Sequence, residues 1–341
     1  MKSQLVGDYE LGALMGSGTV GDVYRARHLA TGAPAVVKLL QSATAREPEV
    51  QRRFVREVAI AEKLDHPNIV RHYDCGVHDD QIYFAMELVD GGTLKDVMNQ
   101  RGTIPWREAV ECAIQVCSAL EYAHQQRVIH RDLKPANLFL STDGRVKVGD
   151  FGLARDLDRS RLTLEGQTVG TCRYMSPEQI TGEAALTGAT DLYALGCIMY
   201  QAIAGWPPFD GNAIIDIFEA HLYNDAVPLT KIAPDCPPHL AELIQRLLAK
   251  EPAYRLASAA EVQAALQGIL HDGRIPRTPL SPAVAAVPPA DPAPSLTTRL
   301  YMQPRPARPR ARNEAIRKWT WWLASVIAAL VAVVSLVYAL L

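Results

Sequence analysis

Cysteine is scarce and scattered. The six cysteines, at 75, 112, 117, 172, 197 and 236, form no C-x-x-C pair, which argues against a zinc knuckle or a thioredoxin-type redox pair. All six are expected to be reduced thiols. Net charge is also nearly absent. A formal value of −2 over 341 residues lacks the basic footprint of a nucleic-acid binder, so no nucleic-acid partner is expected. Residues 1–12 show no basic, apolar and cleavage-site succession of a signal peptide. No repeat of about 20–50 residues recurs along the chain.

What is present falls into three stretches. Residues 1 to 270 alternate apolar periodicity with turn signals, and the length suffices for a sizeable core. Residues 271–318 form a Pro/Ala-rich and then basic linker. Ten prolines lie between 274 and 313, a composition that reads as extended and semi-rigid. Residues 320–341 carry no charged side chain over 22 positions, enough for a helix to span a bilayer. Trp319, Trp321, Trp322 and Tyr338 flank this run as interface aromatics do.

Seven basic residues against one acid lie between Arg299 and Lys318. Positive-inside bias then puts the folded part in the cytoplasm, the protein crossing the membrane once and its C-terminus on the far side. The basic cluster is either a topology signal alone or also a site for anionic lipid headgroups; both readings stand.

Gly16-Ser17-Gly18-Thr19-Val20-Gly21 is a G-x-G-x-x-G run, which two different phosphate-binding folds use. The dinucleotide-binding version opens a helix and has an acid about 20 residues on. Here Asp22–Arg27 alternates at period two, so a strand follows, and no acid lies between Leu29 and Ala45. Two strands joined by a glycine loop make a lid whose backbone N–H groups can approach phosphate oxygens.

A Thr31–Pro34 turn precedes Ala35-Val36-Val37-Lys38, a short apolar run ending in a lysine. In the next predicted helix, apolar residues fall at 50, 54, 55, 58 and 61. Glu57 shares that inward face, where a carboxylate is costly without a partner. Lys38 is the expected partner. Residues 82–89 read as a further strand, ending at Asp90-Gly91-Gly92.

His130-Arg131-Asp132-Leu133-Lys134-Pro135-Ala136-Asn137, followed by Asp150-Phe151-Gly152, decides the reading. With these motifs the chain resembles the Hanks-type (eukaryotic-like) serine/threonine protein kinases, the bacterial membrane-anchored branch in particular, from about Tyr9 to Leu270.

The resemblance implies an α+β, bilobal protein kinase fold. A small β-rich lobe with one key helix would cover about 9–89 and a larger, mainly helical lobe about 90–270, followed by one C-terminal transmembrane helix. It implies ATP as phosphate donor, Mg²⁺ as metal with Mn²⁺ as an alternative, and protein serine or threonine as acceptor. The ATP site would comprise Met15, Gly16, Ser17, Gly18, Thr19, Val20, Gly21, Asp22, Val23, Lys38, Met86, Glu87 and Val89. Met86 would guard the back of the adenine pocket, and the Glu87 carbonyl and Val89 N–H would bond the adenine edge.

Asp132 would take the hydroxyl proton, and Lys134 would contact the γ-phosphate. Lys38 and Glu57 would orient the α- and β-phosphates, and Asn137 and Asp150 would hold the metal. Thr171 resembles the threonine that contacts the catalytic aspartate in Ser/Thr kinases.

Arg131 before Asp132 implies control by a phosphate on the activation segment, which runs from Asp150 to Glu178. Thr163 and Thr168 are the candidates, modified in trans by a second copy. Asp191 is expected to brace the catalytic-loop backbone and Arg255 to pair with Glu178.

The chain departs from the pattern at Val20, where an aromatic is more usual, and at Cys172, where proline is common. Cys172 is therefore expected on an exposed loop, with a redox role open to it. A catalytically inactive scaffold would normally lack Lys38, Asp132 or Asp150, and all three are present.

Overall fold

The computed structural model of the chain describes residues 4–17, 21–40, 63–79, 81–151, 169–182 and 186–272. The alternating stretch up to Glu87 builds a fully antiparallel six-stranded sheet. Its strands are β1 (Leu5–Val6), β2 (Tyr9–Ser17), β3 (Gly21–His28), β4 (Pro34–Leu40), β5 (His72–His78) and β6 (Gln81–Glu87). Their spatial order is β1-β2-β3-β4-β6-β5. A strand follows the glycine run, as the alternation predicts, so the dinucleotide-fold alternative falls away.

Period two gives this sheet two distinct faces. One face gathers Tyr9, Leu11, Ala26, Ala35, Val37, Leu39, Tyr83 and Ala85. The other gathers Leu40, Ile82 and Phe84, with Cys75 and Met86 partly buried against them. Register runs Gly16 to Val23 to Lys38 to Phe84 across four strands. Val36 lies opposite Met86, two residues from Lys38, so Lys38 and Met86 share the second face.

The rest of the described chain is mainly helical: α1 (Leu94–Arg101), α2 (Trp106–Gln125), a 3₁₀ turn (Pro135–Asn137), the hairpin β7 (Leu138–Leu140) and β8 (Val146–Val148), then α3 (Val169–Cys172), α4 (Pro177–Ile180), α5 (Ala189–Ala204), α6 (Ile214–Tyr223), α7 (Leu229–Ile232), α8 (Pro238–Leu247) and α9 (Ala259–Asp272). Helix α1 starts at a capping box, in which the Thr93 side chain accepts from the Asp96 N–H and Asp96 accepts from the Thr93 N–H. Helix α5 is apolar nearly all round, and 14 of its 16 residues are buried. That is the pattern of a helix running through a core rather than along a surface. Fully buried side chains such as Leu192 and Leu195 contribute about 1.5–3 kcal/mol each. Gly205, at φ 85°, ends this helix.

Among the described residues, two stretches of backbone pairing join the sheet lobe to the helical lobe. At the first, β6 stops at Glu87 rather than running to Val89, because the chain turns to pair elsewhere. The Gly91 N–H donates to the Leu140 carbonyl, and the Leu140 N–H donates to the Gly92 carbonyl. Asp90 accepts from both the N–H and the hydroxyl of Thr142. These bonds, the Thr142 N–H first among them, hold the Asp90 carboxyl below the usual aspartate range. At the second seam, Ile69 bridges Val148. The Val70 N–H donates to the Val148 carbonyl at 2.9 Å, and the Val148 N–H donates to the Asn68 carbonyl at 2.8 Å.

Among the described residues no helix is long and apolar enough to cross a membrane. The expected span at 320–341 and its linker, apart from residues 271–272 that end α9, lie outside the described residues, as do Gly18, Thr19, Val20, Glu57, Thr163 and Thr168. None of the six cysteines is joined in a disulfide. The exposed loop expected at Cys172 is corrected: this thiol is fully buried, packed with Met175 and Ile217. A residue of α6, 45 positions downstream, covers it, so a redox role has no exposed thiol to act through.

Candidate active site

The loop before the 3₁₀ turn is fixed by its backbone. Asp191, near the start of α5 and wholly buried, accepts from the His130 N–H at 2.9 Å and the Arg131 N–H at 2.8 Å. The brace expected at Asp191 is therefore present. From the other side, the Gln179 amide donates to the Arg131 carbonyl at 2.8 Å. Arg131 sits at φ 65° and Asp150 at φ 56°. Such left-handed conformations cost a non-glycine residue of order 1–3 kcal/mol and persist only where the surroundings over-determine them. Arg131 meets that condition through bonds to both its N–H and its carbonyl.

His130 ties this loop to the strand that delivers Asp150. Its Nδ1 accepts from the Asp132 N–H at 3.3 Å, and its Nε2 faces the Gly149 carbonyl at 2.9 Å. That pair of partners assigns the proton to Nε2. The ring lies 4.7 Å from that of Phe151. The Gly149 N–H donates to the Asn137 carbonyl. A Cβ at Gly149 would stand 2.6 Å from the Phe139 ring, so only glycine lets β8 pass this close before Asp150.

Several of the side chains expected at the site converge on Asp132. The Lys134 ammonium lies 2.7 Å from the Asp132 carboxylate and 3.4 Å from the Thr171 hydroxyl. Lys134 thus bridges these two, which the sequence expected to meet directly. The Asn137 amide N–H donates to the Asp132 carbonyl at 2.9 Å, which leaves its side-chain oxygen as the donor available to a cation. Across the cleft, Lys38 Nζ is 3.7 Å from the Asp150 carboxylate. Burial outweighs the opposing charge of Asp150 and, with a smaller contribution from Lys38, holds the nearby His72 below the usual imidazole range.

In the lid, the Ser17 hydroxyl donates to Asp22, its cross-strand partner. Met15 is exposed and Met86 partly buried. The Glu87 carboxylate pairs with Lys147 at 2.9 Å and accepts the Arg71 N–H at 3.1 Å.

Asn137 and Asp150 offer an amide oxygen and a carboxylate, the hard donors that Mg²⁺ prefers. Among the described residues there is no group of three or more His, Cys, Asp or Glu that could hold a metal alone.

Beyond the cleft, Arg255 clamps Glu178 bidentately at 2.7 and 2.8 Å, as the sequence predicts. Burial alone would raise the Glu178 carboxyl. The hydrogen bonds and charge of Arg255, with Thr190, instead hold it below the ordinary glutamate range.

Three contributors escaped the sequence reading: Gln179, Lys147 and His124, whose Nε2 lies 2.8 Å from Asp191. No short-range signal marks them. Gln179 occupies the third helical position of a capping box begun by Ser176, which announces a helix start but not the contact to Arg131.

A strand lobe and a helical lobe, with a lysine facing an aspartate across the cleft and an aspartate–lysine–asparagine loop below, define the architecture of a protein kinase. The chain belongs to the protein kinase domain family, which matches residues 9–267. It is similar to the serine/threonine-protein kinase PknB of Mycolicibacterium smegmatis, 38% identical over 340 residues that cover 96% of this chain and 54% of that protein. PknB of Mycobacterium tuberculosis is 37% identical over 283 residues, covering 81% and 45% respectively. The chain thus spans about half the length of the curated relatives it matches. A solved structure of the Mycobacterium tuberculosis PknI kinase domain superimposes with a TM-score of 0.62 at 31% identity, over 78% of this chain and 98% of that one.

Proposed function

We propose that this chain is a serine/threonine protein kinase, transferring the γ-phosphate of ATP to hydroxyls of protein substrates. The observation that carries the reading is the Asp132–Lys134–Thr171 cluster, with Lys134 at 2.7 Å from one partner and 3.4 Å from the other. Asp132 orients the acceptor hydroxyl and receives its proton. Lys134, held beside it, offsets the charge that develops on the transferred group. Thr171 ties the acceptor-binding segment to this pair. Lys38 steadies the α- and β-phosphates, and Glu57 is its expected partner on the helix face. Met15, the run Gly16–Gly21, Asp22 and Val23 cover the phosphates, while Met86, Glu87 and Val89 border the adenine. Asn137 and Asp150 would hold Mg²⁺, which neutralises phosphate charge when bound.

The test is transfer of labelled phosphate from Mg²⁺–ATP to a generic protein by the full chain, beside Asp132→Asn. Activity in the native chain and a loss of at least about a thousandfold in the variant are expected. Equal transfer by both would refute the assignment.

The finer features belong to the same proposal. The domain covers 9–270, 271–318 is a linker, and 320–341 anchors the protein in a membrane with the kinase domain on the cytoplasmic side. The uncharged run and the basic cluster before it support this. Retention of the full chain in alkali-washed membranes, lost on truncation after residue 313, is the expected outcome. Phosphorylation in trans at Thr163 or Thr168 raises activity; an undiminished rate in the double alanine variant would exclude it.

A further inference from the structure

Asp191 is the most constrained carboxylate near the site. Its side chain has no solvent exposure, so every lone pair it uses must be met from within the protein. Oδ1 accepts the Arg131 N–H at 2.8 Å. Oδ2 accepts the His130 N–H at 2.9 Å and faces His124 Nε2 at 2.8 Å. The carboxylate has no proton to give, so His124 is the donor. His124 lies in the last turn of α2, six residues before the loop, and only 16% of its side chain is exposed.

The backbone makes room for this ring. A Cβ on Gly188 would lie 2.6 Å from His124 Nδ1 and 2.7 Å from Cε1, so the imidazole rests on a bare glycine just before α5. Gly188 itself is in the ordinary helical region, at φ −56°. Conformational freedom therefore does not explain the glycine there, whereas the approach of the ring does.

We propose that His124 is a positioning residue for phosphoryl transfer: by donating to Asp191 it fixes the carboxylate that holds the His130 and Arg131 amides, and so sets the place of Asp132. This rests on the kinase reading above. The chain of contacts is short, from imidazole to carboxylate to two consecutive N–H groups to the next residue, Asp132. Without His124, Oδ2 keeps one donor instead of two, and the carboxylate loses one of its three fixed points. Displacements of about 1 Å at a catalytic group can cost about a hundredfold in rate. The proposed adenine and α- and β-phosphate contacts lie on the sheet lobe and are untouched, so the effect falls on turnover more than on nucleotide binding.

His124 also borders a cavity of about 550 Å³, together with Gly188, Leu192 and Leu256. Unbranched side chains of similar length at position 124 therefore have room without displacing core. His124→Gln keeps an N–H donor at the distal position, and His124→Met keeps the bulk but donates nothing. Gly188→Ala leaves His124 in place but pushes its ring aside.

The full chain and these three variants are compared by hydrogen exchange over residues 128–133 and by steady-state kinetics. Exchange in His124→Met and Gly188→Ala should rise about ten- to a hundredfold, the value of a hydrogen bond to a charged group. Exchange in α2 around Val116–Leu120 should be unchanged. The kcat of both variants should fall by a similar factor at unchanged KM for ATP, while His124→Gln stays within about threefold of the native chain on both readouts.

Native-like exchange in His124→Met, equal losses in the Gln and Met variants, or an equal rise in exchange across α2 would each overturn the proposal. The exchange readout needs no turnover. A native chain that transfers no phosphate would count against the kinase reading, while the exchange data would still decide the role of His124.

Discussion

Arg255 offers the sharpest test of what holds the helical lobe together. Its side chain is 0% exposed and that of Glu178 is 4% exposed. The guanidinium donates to both Glu178 oxygens and also to the carbonyls of Ala189, Ala249 and Lys250. Arg255→Met removes all of these at once and leaves a carboxylate in the core with the Thr190 hydroxyl, at 2.9 Å, and a backbone N–H as its remaining donors. Breaking a buried pair from one side costs about 3–5 kcal/mol. The three orphaned carbonyls place the expectation at the upper end. At about 2–4 °C per kcal/mol for a domain of this size, the melting temperature should fall by about 10–20 °C.

The measurement is urea unfolding of the single variants Arg255→Met and Glu178→Met and of the double variant. Removing both charges is expected to be less damaging than the sum of the single changes, because no charge is then left unpaired. A loss below about 1 kcal/mol in Arg255→Met, or strict additivity in the cycle, would refute the reasoning, since residues in one network should couple.

Three further outcomes are expected. The folded-state pKa of Glu178 is depressed, so its contribution to stability is whole above the unfolded value of about 4.3 and is lost as pH falls from there through the lower folded value. Urea midpoints measured downward from pH 6 should fall more steeply in the native chain than in Glu178→Met. Gly149→Ala should cost about 1–3 kcal/mol by overpacking against Phe139, read as a lower urea midpoint at unchanged slope. Lys147→Met should cost less than about 1 kcal/mol, because its partner Glu87 is a quarter exposed; a loss above about 2 kcal/mol would mean that the pair is more dehydrated than the geometry implies.

The parts of the site that lie within one short stretch were legible in the sequence. Asp132, Lys134 and Asn137 fall within six residues and Asp150 opens the next motif, so the resemblance that assigns them rests on contiguous motifs. The long-range braces Asp191 and Arg255 were legible only through the resemblance. What stayed hidden was side-chain adjacency over long separations in the chain. Lys147 meets Glu87 across 60 residues, and His124 meets Asp191 across 67. In sequence, His124 is one more polar residue at a helix end. Cys172 misled for the same reason in reverse: its neighbours read as a loop, and the apolar residue that seals it belongs to α6. Lys38 is found against Asp150, while its expected partner Glu57 lies outside the described residues.

The two seams between the lobes have a mechanical consequence. One fastens the crossover at residues 90–92 to β7 and the turn after it. The other fastens residues 68–70 to β8. These backbone tethers, with the Lys147–Glu87 pair beside the first, restrict how the sheet lobe can move over the helical lobe. Rotation about the line through them, like a door on two pins, strains those bonds least. The gap between Lys38 and Asp150 then serves as the natural coordinate of that swing. Between the fastened Glu87 and Asp90 only Leu88 and Val89 remain to absorb the turn. The backbone bordering the proposed adenine site is thus also the torsion element of the door, and a nucleotide gripping Val89 would stiffen the pivot itself.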